Sequence, residues 1–201
     1  MYLFPFILIL VVLFNFKLKQ SSRKANANGD DFWERERQAN SIRKKSIDNL
    51  DYITILPEDL PFFENPERQI AQYQDKIRSL SQKKILNLSG YSNTDLKLEY
   101  GSANLTLLSN YDDNYNSLIT TLNKWGQRLI QLDHIPEGIR VLEYAISIGS
   151  DISGTYTTLA GHYASIGDTD ALNRLMDRAG SLDSIMKESI LAKLTEVAHK
   201  C

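Results

Sequence analysis

The sequence predicts an all-α protein, an N-terminal transmembrane helix followed by a body of paired helices. Three observations carry this reading. Residues 1–16 contain no charged side chain. Beyond residue 66, apolar residues recur at three- and four-residue steps, the signature of helices with one buried face. Between about 119 and 186, a pattern of bulky and small residues repeats after thirty-four positions, as Gly126 and Ala160 show. A chain of 201 residues accommodates one domain with attachments and a sizeable core.

Charge supports the anchored arrangement. The 23 Lys and Arg against 25 Asp and Glu give a net −2, which argues against a dedicated nucleic-acid binder with a basic face. The distribution is uneven: residues 17–50 hold nine basic and five acidic groups, and the remainder of the chain is net acidic. A single cysteine, Cys201, excludes an internal disulfide framework and a Cys-based zinc site. His134, His162 and His199 are too scattered to suggest a metal cage, and no cofactor is expected.

The opening MYLFPFILILVVLFNF is apolar apart from Asn15. Sixteen helical residues cover about 24 Å, short of a hydrocarbon core of about 30 Å. Leu18 and the apolar stems of Lys17 and Lys19 extend it, giving a predicted anchor over 1–18. Basic residues that follow a span stay on the cytoplasmic side, so Lys17, Lys19, Arg23 and Lys24 predict a single-pass protein of the cell membrane with a cytoplasmic body. The competing reading is export, with cleavage after Ala25-Asn26-Ala27. Against it, no basic residue precedes the apolar run, and four lie between that run and the cut.

Residues 19–50 form a basic juxtamembrane stretch in which 31–45 can be helical, with acidic residues at its start and Arg43, Lys44 and Lys45 at its end. Residues 51–65 read as an extended segment, because Tyr52–Leu56 is rich in β-branched residues and bounded by Pro57 and Pro61. Its apolar residues are expected to lie against the helical body, which runs from 66 to 201. Asn65 as cap and Pro66 in the first turn predict a helix to about Asn87, with Ile70, Tyr73, Ile77 and Leu80 on one face. A short helix capped by Asn93 and ended by Gly101 is predicted, although Asp95–Tyr100 alternates like a strand.

The repeat defines two helical pairs, 119–152 and 153–186, broken at Asp133–Pro136 and Gly167-Asp168. At these residues the chain resembles the tetratricopeptide repeat. Gly126 and Ala160 stand where that family carries a small residue in the first helix of each unit, Ala145 and Ala179 where it does so in the second. Small side chains let two helix backbones approach. The pattern departs from the family at Gly138 and Leu172, where alanine is usual, and at Ser150 and Ser184, where proline is usual. The resemblance implies a right-handed superhelix. Two units rarely stand alone, so a C-terminal helix over 183–199 should cap one end and the helices between Pro66 and Asn110 the other. The layout is also similar to that of uncharacterised bacterial single-span proteins with a helical-repeat body.

No phosphate-cradling loop, nucleophile elbow or H-E-x-x-H string occurs in the sequence. Asp168-Thr169-Asp170 fits a helix cap better than a metal or catalytic group, and Asp112-Asp113 is read as preceding another helix start. The chain is therefore expected not to be an enzyme and to have no small-molecule substrate. The expected function is a membrane-tethered adaptor or scaffold that binds a protein or peptide. The alternative is a structural or self-associating membrane protein without a peptide ligand. The resemblance places a groove on the first helix of each pair, at Asn123, Gln127, Ile130, Thr157, Gly161 and Ala164.

Overall fold

In the computed structural model the described residues are 31–198. The predicted anchor over 1–18, the Ala25–Ala27 site, His199 and Cys201 lie outside them. The described residues are helical, with no strand, as the all-α class requires. Among them, no helix is long and apolar enough to cross a membrane.

The chain divides into two compact units. In the first, described from residue 31 to Ile47 and continued by Ser92–Leu105, helix α1 (31–41) pairs with α3 (Asn93–Tyr100). The predicted helix over 31–45 thus ends four residues early. The 93–101 segment is helical, capped one residue before the expected Asn93: the Ser92 hydroxyl accepts from the Asp95 amide while Asp95 accepts from the Ser92 amide. The Glu36 carboxylate accepts from Thr94 Oγ1 and, at 2.8 Å, from Lys97 Nζ. Arg35 reaches Asp95 at 2.5 Å. Asn104, fully buried, donates to the Lys45 and Tyr100 carbonyls and so holds the end of α3 to the chain after α1.

The second unit carries α2 (Arg68–Ser81), nearly all of α4 (Leu105–Gln131), α5 (Ile135–Ser147), α6 (Ser153–Ile166), α7 (Thr169–Gly180) and α8 (Lys187–Ala198). The helix predicted from Pro66 to Asn87 is shorter at both ends. Its cap is Glu67, whose carboxylate accepts from the Gln69 and Ile70 amides, and a carboxylate there competes well for the first free N–H groups. Asp112 and Asp113 lie inside α4 and do not precede a helix start. The Asp112 carboxylate instead accepts from the Leu88 amide and from Asn116. The extended segment packs as expected. The Ile53 amide donates to the Ile85 carbonyl, Ile55 and Leu60 are buried, Phe62 lies on Trp125, and Arg140 donates to the Glu58 and Asp59 carbonyls.

Helix α5 divides two cores. Val141 and Ala145 join a core of α2, α4 and the extended segment, around Ile77, Leu122 and Trp125. Ile139, Leu142 and Ile146 join a second core with Tyr156 and Leu159 of α6, Leu175 of α7 and Ile190 of α8. The helix is buried on these two sides and exposes Arg140, Glu143 and Ser147. The connection from α4 to α5 is three residues, which forces an antiparallel pair. Gly126 and Gly138 sit at the crossing. A Cβ at Gly138 would stand 2.7 Å from the Gly126 carbonyl and 2.6 Å from Ile130 Cγ1, whereas one at Gly161 on α6 would meet nothing.

Two outcomes follow from this packing. Gly138→Ala should destabilise the protein by about 1–3 kcal/mol through overpacking, although alanine favours a helix by about 1 kcal/mol. Gly161→Ala should gain that propensity without a clash, so the two variants should move the urea midpoint in opposite directions. In the first unit, bonds from Lys97 and then Thr94 hold the Glu36 carboxyl below its ordinary 4.5. A lowered folded-state value means that the carboxylate contributes stability above pH 4.5 and that this is lost as pH falls through the folded value. Amide shifts of Thr94 and Lys97 should therefore change together on acidification, and Glu36→Gln should remove that transition.

Candidate functional site

The residues predicted to line a groove do not all share one surface. Gln127 Nε2 donates to Asn123 Oδ1 at 3.1 Å, and Thr155 Oγ1 of α6 donates to the same oxygen at 3.1 Å. Gly154 leaves room for these amides, since a Cβ there would come within 3.1 Å of Gln127 Nε2. Asn123 and Gln127 thus tie α4 to the first turn of α6. Thr157 donates to the Gly154 carbonyl and is half-buried, Gly161 is exposed and Ala164 is half-buried. Ile130 is turned towards α5, where it touches Gly138 and packs on the second core. It is a packing residue of the α4–α5 crossing.

A larger concavity lies elsewhere in the second unit, and sequence reasoning missed it. It is a cleft of about 590 Å³ where the extended segment at Asp51–Thr54, the Leu86–Ser89 stretch, the α5–α6 turn and the α7–α8 turn meet. That volume lies in the range of sites that hold a small ligand or an inserted side chain. Each wall is built by identifiable bonds. Asn87 Nδ2 donates to Tyr115 Oη at 3.1 Å, and Tyr115 Oη donates to the Ile148 carbonyl at 3.4 Å. Ser184 Oγ donates to Asp151 Oδ2 at 2.5 Å, joining the turn before α6 to the turn after α7. The Asp183 carboxylate lies against Gly90, whose φ of +86° and missing Cβ make the space.

The cleft is electronegative. Asp51, Asp151 and Asp183 line it against one cation, Arg178. The C-terminal ends of α5 and α7 also open on it, and helix C-termini carry partial negative charge. Tyr156, fully buried, forms part of the wall, and its hydroxyl has no hydrogen-bond partner among the described residues. Burial first, then the Asp151 carboxylate, pushes that phenol up to about 12, and it stays neutral at physiological pH. A buried hydroxyl without a partner typically costs about 1–3 kcal/mol.

Two turns further along the same face of α6, Tyr163 Oη donates to Glu143 Oε1 at 2.6 Å; burial first, then this bond, push the pKa of its phenol up. His162 stacks obliquely beside Tyr163, and His134 packs against Phe63. Asp168 caps α7 by accepting from the Ala171 amide at 2.8 Å, as its place in the turn predicts. Among the described residues, no three His, Cys, Asp or Glu side chains converge to hold a metal ion. No protein-family model, curated protein or solved structure matches the chain.

The two buried tyrosines should respond differently to loss of the hydroxyl. Tyr115→Phe removes bonds to Asn87 and Ile148 and should cost about 1 kcal/mol. Tyr156→Phe removes a group that has no partner and should be neutral or slightly stabilising, as read by urea denaturation of the two variants.

Proposed function

We propose that the chain is a membrane-tethered helical-repeat adaptor, facing the cytoplasm, that binds a protein or peptide partner. The carrying observation is the surface of α6. Thr157, Gly161 and Ala164 form a strip of small uncharged side chains beside the Asn123–Gln127 edge of α4, and a Cβ at Gly161 would meet no neighbouring atom. Open space at Gly161 among the described residues can take an external side chain. Supporting the tetratricopeptide-type arrangement, Gly126, Ala145, Ala160 and Ala179 are all buried, as small residues at helix crossings should be. The uncharged run 1–16 and the basic stretch after it support the tether, which would raise the local concentration of a partner held at the same membrane. The reading assigns the chain no catalytic step.

Thr157→Glu combined with Gly161→Glu tests it. Gly161 has room, Thr157 is only half-buried, and glycine-to-glutamate favours a helix, so the fold should survive within about 1 kcal/mol. Crosslinking in intact cells should then lose the neighbours that the unmodified chain captures. An identical set of captured neighbours from a folded double variant would overturn the groove. A changed oligomeric state with no lost partner would favour self-association.

A further inference from the structure

We propose that the cleft between the extended segment and the α5–α6 and α7–α8 turns receives a cationic side chain, the ammonium or guanidinium of a basic peptide segment. The site shares no residue with the α6 strip, so it goes beyond the groove reading and stands or falls separately. Three carboxylates and two helix C-termini converge there against one guanidinium, so a positive guest is favoured and an anion is repelled. Acidic groups alone do not define a site. The second observation is the Tyr156 hydroxyl: fully buried, in the cleft wall, close enough to Asp151 and Arg178 to feel both charges, and without a partner. A neutral hydroxyl has lone pairs to offer an N–H donor, and such a donor would satisfy it.

Among the described residues, no salt bridge engages the three carboxylates. Asp151 accepts from Ser184 at 2.5 Å through one oxygen, leaving the other for a guest. Asp183 is exposed and braced against Gly90, and Asp51 is exposed on the opposite wall. A long, thin cation fits better than a compact ion. The cleft is open and spacious, and the apolar stem of lysine or arginine can lie along Ile53, Ile146 and Leu182 while its head reaches the carboxylates. Arg178, exposed at the rim, can swing away from an incoming positive charge.

The test uses the full-length chain and dye-labelled, end-blocked tetralysine and tetra-arginine peptides, with tetraglutamate as the anionic control and fluorescence anisotropy as readout. Both basic peptides should bind, more weakly as salt rises, and tetraglutamate should not. Asp151→Asn with Asp183→Asn should weaken binding about tenfold. Tyr156→Phe should weaken it about threefold with no loss of stability. Asp51→Asn does the same work if the double variant folds poorly, and should weaken binding about threefold. Neutralising two acidic residues away from the cleft, Asp75→Asn with Glu137→Gln, should change affinity by less than about twofold. An equal loss from the remote pair would show only general attraction to an acidic body and would overturn the site. Unchanged affinity in the folded cleft variants would overturn it as well.

Discussion

The crossing of α4 and α5 is the constraint on which the second unit depends. Helix α5 is apolar on two sides, with Val141 and Ala145 turned to one core and Ile139, Leu142 and Ile146 to the other. Whatever sets its distance from α4 therefore sets the width of both cores. Gly126 and Gly138 set it. Leu142 fills the space that a Cβ on Gly126 would need, and the Gly126 carbonyl approaches the place a Cβ on Gly138 would take. Two glycines inside helices cost about 1 kcal/mol each in propensity. Burial of α5 on both sides outweighs that, since each fully buried aliphatic side chain contributes about 1.5–3 kcal/mol.

The first core is then closed by chain that is not helical. The extended segment contributes Ile55 and Leu60, seats Phe62 on Trp125, and is fastened by Arg140 at its 3₁₀ turn, Pro57–Asp59. An irregular strip carries unpaired backbone groups, and the bond from the Ile53 amide to the Ile85 carbonyl and those from Arg140 answer some of them. Where the strip meets the ends of α5 and α7, the helices stop, and side chains no longer fill the space between them. The cleft is what remains at that junction. Its electronegative character follows from the same geometry, because helix ends converge there together with the aspartates of the connecting turns.

Much of the fold could be read from periodicity. Ile70, Ile77 and Leu80 on one face of α2, the break at Asp133–Pro136, and Asp168 as the cap of α7 all lie where local chemistry puts them. Caps misled where two candidates lay close together. Asn65-Pro66 loses to Glu67, and Asn93 loses to Ser92, because tertiary context decides which neighbouring side chain faces the free amides. Asp112 resembles a cap in sequence, yet it sits within α4 and serves the Leu88 amide twenty-four residues away, a partner no local rule reveals. The resemblance makes Ile130 a groove residue and gives no sign of its place against Gly138, since its direction depends on how closely α5 approaches.

The cleft was illegible for a related reason. Its residues come from four separated stretches, none of which carries a motif, and Tyr156 reads in sequence as one more packing wedge. What distinguishes Tyr156 from Tyr115 and Tyr163 is only visible in three dimensions. Those two hydroxyls are answered by Asn87 with Ile148, and by Glu143, while the Tyr156 hydroxyl is answered by none of the described residues. The three rings, Tyr115 in the first core and Tyr156 and Tyr163 in the second, are equally apolar, so packing does not explain the difference, and a phenylalanine would pack as well at lower cost. A buried hydroxyl near Asp151, in the wall of an open cleft, is a group that a donor arriving from outside would satisfy. That is also why the cleft, and not the more exposed strip on α6, carries the stronger chemical preference: the strip offers room, whereas the cleft offers room, charge and an unmet hydrogen bond.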